Sequence, residues 1–325
     1  MRRLRLDDLG WQNPMDTLIN VVIPVFGLIL TGYLAGRFEV LGPESAAALT
    51  RFVYYFAFPA ALFVFSARAP IDKTFNWPFI WAYVCGSLST LLVALIIGRL
   101  WFRHDVATLS VVGFTAVFGN VIGMGLPLLL TAYGPDGALP AIVVALVFTL
   151  FISGVIAVLE ATQASGPSAL HVSAQLTGTL LRNPLVISPV LGIVYSMTGL
   201  PLPKALGNYL DLMASAAGSA ALFAVGLSLV GRKLVGNIGE VIWLSVIKAV
   251  INPILTFLLV TYVFVMEPFW SQAAVILSAM PVGTNPYVIA QQYNVHVKTV
   301  SPTIVISTAM SVITVLFVLL YYRVG

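Results

Sequence analysis

The feature that most constrains this chain is the bunching of its apolar residues. Stretches of about 20 residues with almost no charge recur between residues 17 and 322, and that is the length an α-helix needs to cross roughly 30 Å of hydrocarbon. Barrel strands would instead alternate polar and apolar positions over about ten residues. Composition agrees: 59% of the 325 residues are hydrophobic and 9% are charged, where a soluble domain carries about a quarter charged. The expected fold class is therefore an all-α polytopic membrane protein. Ten spans are predicted, at 17–36, 46–67, 77–98, 107–130, 138–160, 184–199, 207–230, 240–263, 271–291 and 301–322. A single cysteine, Cys85, excludes a disulfide within the chain, a thiolate metal cluster and a CxxC redox pair. The 16 Lys and Arg are spread over short loops, which is the pattern of membrane topology, so nucleic acid is not an expected partner.

Residues 1–16 carry Arg2, Arg3, Arg5, Asp7 and Asp8 without an apolar core, so they read as an N-terminal tail, neither span nor secretory signal. The longest polar interruption, 161–183, divides the spans into a first five-helix repeat, 17–160, and a second, 184–325. An odd number of spans per half makes the second copy enter from the opposite face, which predicts a 5+5 inverted repeat of the kind secondary transporters use. Pro24 and Pro189 fall in the first member of each half, and both fourth members, spans four and nine, are rich in Gly, Pro and Asn. Basic residues count toward an inward side at Arg37, Arg51, Arg99, Arg103, Arg182, Arg232, Lys233 and Lys298, against Arg68, Lys73, Lys204 and Arg323 outward. Both termini are thus expected outside. Trp77, Trp81, Trp101, Trp243 and Trp270 lie at span edges and read as interfacial anchors.

Span four holds Gly119, Asn120, Gly123, Gly125 and Pro127 at its centre, and span nine holds Pro281, Gly283, Thr284, Asn285 and Pro286. Such clusters leave backbone groups unpaired in lipid at a cost of several kcal/mol, so both segments must face protein or a water-filled cavity. Two broken crossing helices at mid-depth are the result expected. Half-helix N-termini offer free N–H donors with partial positive charge, which suits an anion. Asn120 and Asn285 can hold a carboxylate without a charge that would trap it. Isolated prolines elsewhere, Pro59, Pro189 and Pro253, read as kinks or packing notches.

The runs GNVIGMGLPLLLTAYG and AMPVGTNPYVIAQQYNVH resemble the two crossover segments of the auxin efflux carrier family, which joins plant auxin exporters to bacterial organic-acid carriers. LINVVIPVFGLILTGYLAG, FAFPAALF, LRNPLVISPVLGIV and ALFAVGLSLVGRK support the resemblance, which covers nearly the whole chain. It implies ten helices in a 5+5 inverted repeat, a scaffold subdomain and a transport subdomain moving as an elevator, and a homodimer. It further implies a carrier of small carboxylates such as malonate or malate, or of auxin-like indole acids, in a bacterial inner membrane. Asn120 takes the place of the family's substrate-facing asparagine in the fourth helix, and Pro286 that of the crossover proline in the ninth. Gly119 departs from the plant pattern, which has proline there, so a looser break is expected.

Lys248 sits about eight residues inside span eight beside Asn252 and Pro253, without an acid one turn away. It reads either as a countercharge for an anionic substrate or as a structural donor to the carbonyls of a broken helix. Asp211 reads as an exposed cap or as its partner. His104, His171 and His296 fall in or near loops, and none is expected to relay protons; no Asp or Glu lies at mid-span. The substrate-binding set is therefore Gly119, Asn120, Gly123, Pro127, Lys248, Pro281, Gly283, Thr284, Asn285 and Pro286. No cofactor or metal is expected, the expected partners are a small organic anion and membrane lipid, and a proton is favoured over sodium as coupling ion. Neither paired aspartates, a Ser with His, nor HExxH is present at depth, so an enzyme is not expected. The alternatives are a sodium-coupled organic-anion symporter of bile-acid-transporter type and an anion channel.

Overall fold

The computed structural model of the chain describes residues 18–69, 76–162, 183–231 and 236–322. The N-terminal tail, most of the 161–183 connection, and Lys73, His171, Arg182, Arg232, Lys233 and Arg323 lie outside the described residues. The fold is helical throughout, and its only extended pairing among the described residues is one isolated antiparallel bridge. In chain order the helices are α1 (Ile23–Arg37), α2 (Pro43–Phe52), α3 (Phe58–Arg68), α4 (Trp77–Leu100), α5 (Val106–Val117), α6 (Leu126–Tyr133) and α7 (Ala138–Ala161). After the connection follow α8 (Pro184–Met197), α9 (Lys204–Leu229), α10 (Ile238–Val246), α11 (Asn252–Tyr262), α12 (Pro268–Ser278), α13 (Asn285–Tyr293) and α14 (Val297–Tyr322). Among the described residues, seven helical stretches are long and apolar enough to cross a bilayer. This is fewer than the ten spans predicted because 107–130 and 271–291 are each split into two shorter helices, 184–199 is a helix of 14 residues, and Val121–Ala161 runs on through a short 3₁₀ turn.

Several helix starts are written in the sequence as an amide or carboxylate that caps the first turn. Asn76, Asp105, Asn183 and Asn237 each accept from a backbone N–H two or three residues on, satisfying one of the donors a helix start leaves orphaned. The Thr108 side chain and backbone donate to Asp105 and hold its carboxyl below the usual carboxylate range. Prolines dictate the next feature. Four wide π-turns, Leu18–Val22, Val53–Ala57, Val121–Gly125 and Ile247–Ile251, each run directly into a helix whose second residue is proline: Pro24, Pro59, Pro127 and Pro253. Proline has no N–H and its ring collides with the carbonyl four residues back, and a widened turn removes that collision without exposing the backbone to lipid. Pro189, by contrast, sits inside α8 with no π-turn before it, so it and Pro24 have different local backbones.

The helices sort into two bundles. In the first, α9 packs along α1, α2 and α3, and α8 lies on α3. Glycine makes the α1–α9 approach possible: a Cβ at Gly226 would fall 1.9 Å from the Ile29 carbonyl oxygen, and one at Gly32 would fall 2.1 Å from that of Phe223. Small residues of this kind let backbones touch where lipid provides no hydrophobic drive. Arg68 and Asp211 form a bidentate ion pair at 2.7 and 2.8 Å that ties α3 to α9, so Asp211 is neither a free cap nor a partner of Lys248. In the second bundle α4 packs on α5, α11 and α12, while α14 packs on α10, α12 and α13. Trp270, expected at an interface, is instead buried against Phe79, with ring centroids 5.0 Å apart. Trp77, Trp81 and Trp101 are exposed. The bundles meet where α9 touches α6 and the Val121–Gly125 turn, and where α7 touches α3 and α8.

Candidate functional site

Two interruptions define the site. The first separates α5 from the Val121–Gly125 turn and α6, at Phe118, Gly119 and Asn120. The second separates α12 from α13, at 279–284. They lie side by side and antiparallel, with Gly119 bridged to Val282. The Asn120 N–H donates to the Pro281 carbonyl at 2.7 Å, the Gly283 N–H donates to the Phe118 carbonyl at 3.1 Å, and the Val282 N–H donates to Ser307 Oγ of α14 at 3.1 Å. The backbone groups that one break exposes are thus satisfied by the other, which removes most of the several kcal/mol each would cost in hydrocarbon. Neither helix can be interrupted at this depth without its counterpart.

The ends of the two breaks are sealed by side chains. Asn120 caps the turn that follows it, its Oδ1 accepting from the Gly123 N–H at 3.2 Å. A Cβ at Gly123 would lie 2.4 Å from that same oxygen, so any larger residue there has to push the Asn120 amide aside. The C-terminal end of α12 is sealed from α10–α11: Lys248 Nζ donates to the Ser278 carbonyl at 2.8 Å, and Asn252 Nδ2 donates to the same oxygen at 3.2 Å. Asn252 Oδ1 in turn accepts from Thr90 of α4 at 3.0 Å. Two N–H donors at a helix C-terminus satisfy a carbonyl that the helix end leaves without an intrahelical partner. Lys248 is completely buried and lies behind Gly119, where a Cβ would come within 3.3 Å of its amine.

A cavity of about 240 Å³ opens where the breaks face the first bundle. From the breaks it is lined by Gly119, Asn120, Gly123, Gly283, Thr284 and Asn285; the other predicted site residues, Pro127, Lys248, Pro281 and Pro286, do not line it. Pro127 stands against α9 near Gly218, and Pro281 supplies the carbonyl that Asn120 uses. The facing wall comes from Thr50, Tyr54, Phe58 and Asn183 and from Ala221 to Ser228 on α9, while Phe148 and Thr149 of α7 close one side. Tyr54 donates to Asn183 Oδ1 at 3.1 Å. Phe58, Asn183 and the α9 residues lie in runs that carry the family resemblance, but none of these wall residues was marked by its chemistry as part of a site. Among the described residues no charged side chain lines the cavity. The donors that face it are the Asn120 amide, which has no partner among the described residues, the Thr284 and Asn285 side chains, and the N–H groups of Ile122 and Asn285; the Val121 and Gly123 N–H groups already donate to the Gly119 carbonyl and to Asn120 Oδ1, and Pro286 has none.

A helical membrane protein whose two interrupted helices join at a cavity between bundles has the architecture of a solute carrier. The chain belongs to the membrane transport protein family, which it matches over residues 17–319. It is 32% identical over 315 residues to a "Putative malonate transporter" of Rhizobium meliloti (strain 1021), covering 96% of this chain and 98% of that protein. It is 27% identical over 309 residues to the uncharacterized transporter YfdV of Escherichia coli (strain K12), covering 91% and 95%. To auxin efflux carrier component 8 of Arabidopsis thaliana it is 22% identical over 354 residues, covering 92% and 95%. It is a membrane transporter and not an enzyme.

Proposed function

We propose that this protein is a secondary active transporter of small organic anions, with the carboxylate held where the two breaks meet. Two helix starts, each with one N–H left over, and the Asn120 amide converge on a cavity in whose wall no charged side chain stands among the described residues, and this carries the reading. Helix N-termini favour negative charge, and each hydrogen bond to a charged group is worth about 1.5–3 kcal/mol. A few neutral donors therefore bind an anion firmly enough to select it and weakly enough to let it go. Phe58, Phe118 and Phe148 give the rest of the cavity an apolar wall suited to a short carbon skeleton. At about 240 Å³ it lies below the range of roughly 300–1,000 Å³ that takes drug-sized ligands, and the relative named for malonate makes short dicarboxylates the first substrates to test.

In this reading the chain crosses the membrane ten times, as two inverted five-helix units whose fourth members are the broken helices. The first bundle is the scaffold. The second carries the breaks and moves past it as an elevator, taking the cavity wall with it. The site residues are Gly119, Asn120, Gly123, Gly283, Thr284 and Asn285, with Pro127, Pro281, Pro286 and Lys248 shaping and sealing the breaks. A proton is the coupling ion and the carrier is a homodimer in an inner membrane with both termini outside. Uptake of labelled malonate by proteoliposomes, with mono- and dicarboxylates as competitors, tests this directly. Saturable uptake competed by carboxylates is expected; carriage of cations or neutral solutes with no carboxylate competition would overturn it.

A further inference from the structure

Away from the cavity, the second bundle gathers three chemistry-bearing side chains from distant parts of the chain. His104 lies in the connection from α4 to α5, Glu240 in the first turn of α10, and His296 in the turn from α13 to α14. Nε2 of His104 and Nε2 of His296 each lie 2.6 Å from Oε1 of Glu240, and the rings stand edge-on with centroids 5.0 Å apart. One ligand atom from each residue lies within 4.8 Å of the others. The Glu240 side chain is almost fully buried, whereas each histidine is 15% exposed, so the group sits at a rim that an ion in water can reach.

The surroundings hold this geometry. His104 stacks on Phe102 at 11°, and Phe102 stacks on Trp243 of α10 at 20°, which fixes the imidazole plane. Arg99 grips the His104 carbonyl at 3.0 Å, and Thr299 lies 3.5 Å from the second Glu240 oxygen. His296 itself holds a left-handed backbone, with φ of 58°. A non-glycine residue in that region has to be held there by its surroundings. Nothing in the transport site uses these residues.

We propose that His104, Glu240 and His296 form a binding site for a divalent transition metal of zinc type. Two imidazole nitrogens and one carboxylate are a familiar zinc ligand set, with bonds of about 2.0–2.2 Å and a fourth position left to water. A tetrahedral ion at that distance spreads its ligand atoms to roughly 3.3 Å, so each Nε2 backs away from Glu240 Oε1 by less than an ångström, and each ring binds the ion as neutral imidazole with its one proton on Nδ1. The imidazole and carboxylate donors favour zinc over calcium or magnesium, which take all-oxygen sites. The ion would clip the rim ends of α5, α10 and α14 together, and α5 and α13 are the arms that lead to the two breaks.

The test uses full-length protein in detergent, freed of its affinity tag and stripped with chelator, and titrates ZnCl2 by calorimetry while following the melting temperature. About one equivalent per chain and a higher melting temperature are expected. His104→Gln with His296→Gln keeps polar groups against Glu240 but removes both nitrogen ligands, and should weaken binding by at least about a hundredfold and abolish the thermal response. Asn120→Ala should bind zinc as the wild type does, which separates this site from the anion site. Cobalt substitution supplies a readout independent of stability, since visible bands of four- or five-coordinate Co2+ should appear with the wild type and not with the double variant. Absence of stoichiometric zinc binding by the wild type, or equal binding by the double variant, would overturn the proposal.

Discussion

At the scale of single residues, the site divides into groups that face the cavity and groups that hold the breaks open. Lys248 belongs to the second kind. Its amine and the Asn252 amide share the Ser278 carbonyl, so Lys248→Met leaves that carbonyl with one longer bond. The loss is about 1–3 kcal/mol, partly offset because an amine is no longer buried. The melting temperature of Lys248→Met should therefore fall by a few degrees while malonate affinity of the folded protein stays within about threefold. Wild-type stability with lost affinity would instead make Lys248 a substrate countercharge. Gly123→Ala is expected to act through its neighbour: the added Cβ would sit 2.4 Å from Asn120 Oδ1 and displace the amide, so malonate should bind at least about fivefold more weakly, as a calorimetric titration would read. Asn120, Gly283 and Asn285 were legible in the sequence because an amide among glycines is costly inside an apolar run. Tyr54 and Asn183 were not, since they approach the breaks only through the packing of α8 on α3. His104, Glu240 and His296 escaped for the same reason, lying 136 and 56 residues apart along the chain.

At the scale of elements, proline placed between apolar residues set where helices widen, and paired breaks set where they stop. The antiparallel pairing of the breaks puts Phe118 opposite Gly283, where a Cβ would come within 2.8 Å of the Phe118 ring. Phe118→Cys with Gly283→Cys in a Cys85→Ser background should form a disulfide on mild oxidation, with Gly86→Cys and Thr256→Cys, whose Cβ atoms would lie 3.4 Å apart, as the control pair. Linking of the control pair with none at 118 and 283 would contradict the pairing. Gly226→Ala places a methyl 1.9 Å from the Ile29 carbonyl; the strain of about 1–3 kcal/mol should lower the melting temperature and leave anion affinity in the folded fraction unchanged. Helix positions were mostly readable from hydropathy alone. Span continuity was not, because hydropathy averages over the three to six residues by which 107–130 and 271–291 are interrupted.

At the scale of the whole molecule, the cavity exists only because two bundles face each other across it. One contributes Thr50, Tyr54, Asn183 and α9, and the other contributes the breaks and α7. The division into bundles cuts across the division of the chain at 161–183, since α8 and α9 join α1 to α3 while α10 to α14 join α4 to α7, and periodicity along a chain carries no information of that kind. In the proposed complex the Asn120 amide donates to the substrate carboxylate. Calorimetric titration of malonate into purified wild type and Asn120→Asp is its most direct measurement. Aspartate keeps an acceptor for the Gly123 N–H, so the turn survives, but it replaces the donor with a negative charge. Binding weakened at least about tenfold, as loss of a hydrogen bond of about 1.5–3 kcal/mol requires, at an unchanged melting temperature, is the expected result; wild-type affinity in the folded variant would contradict it.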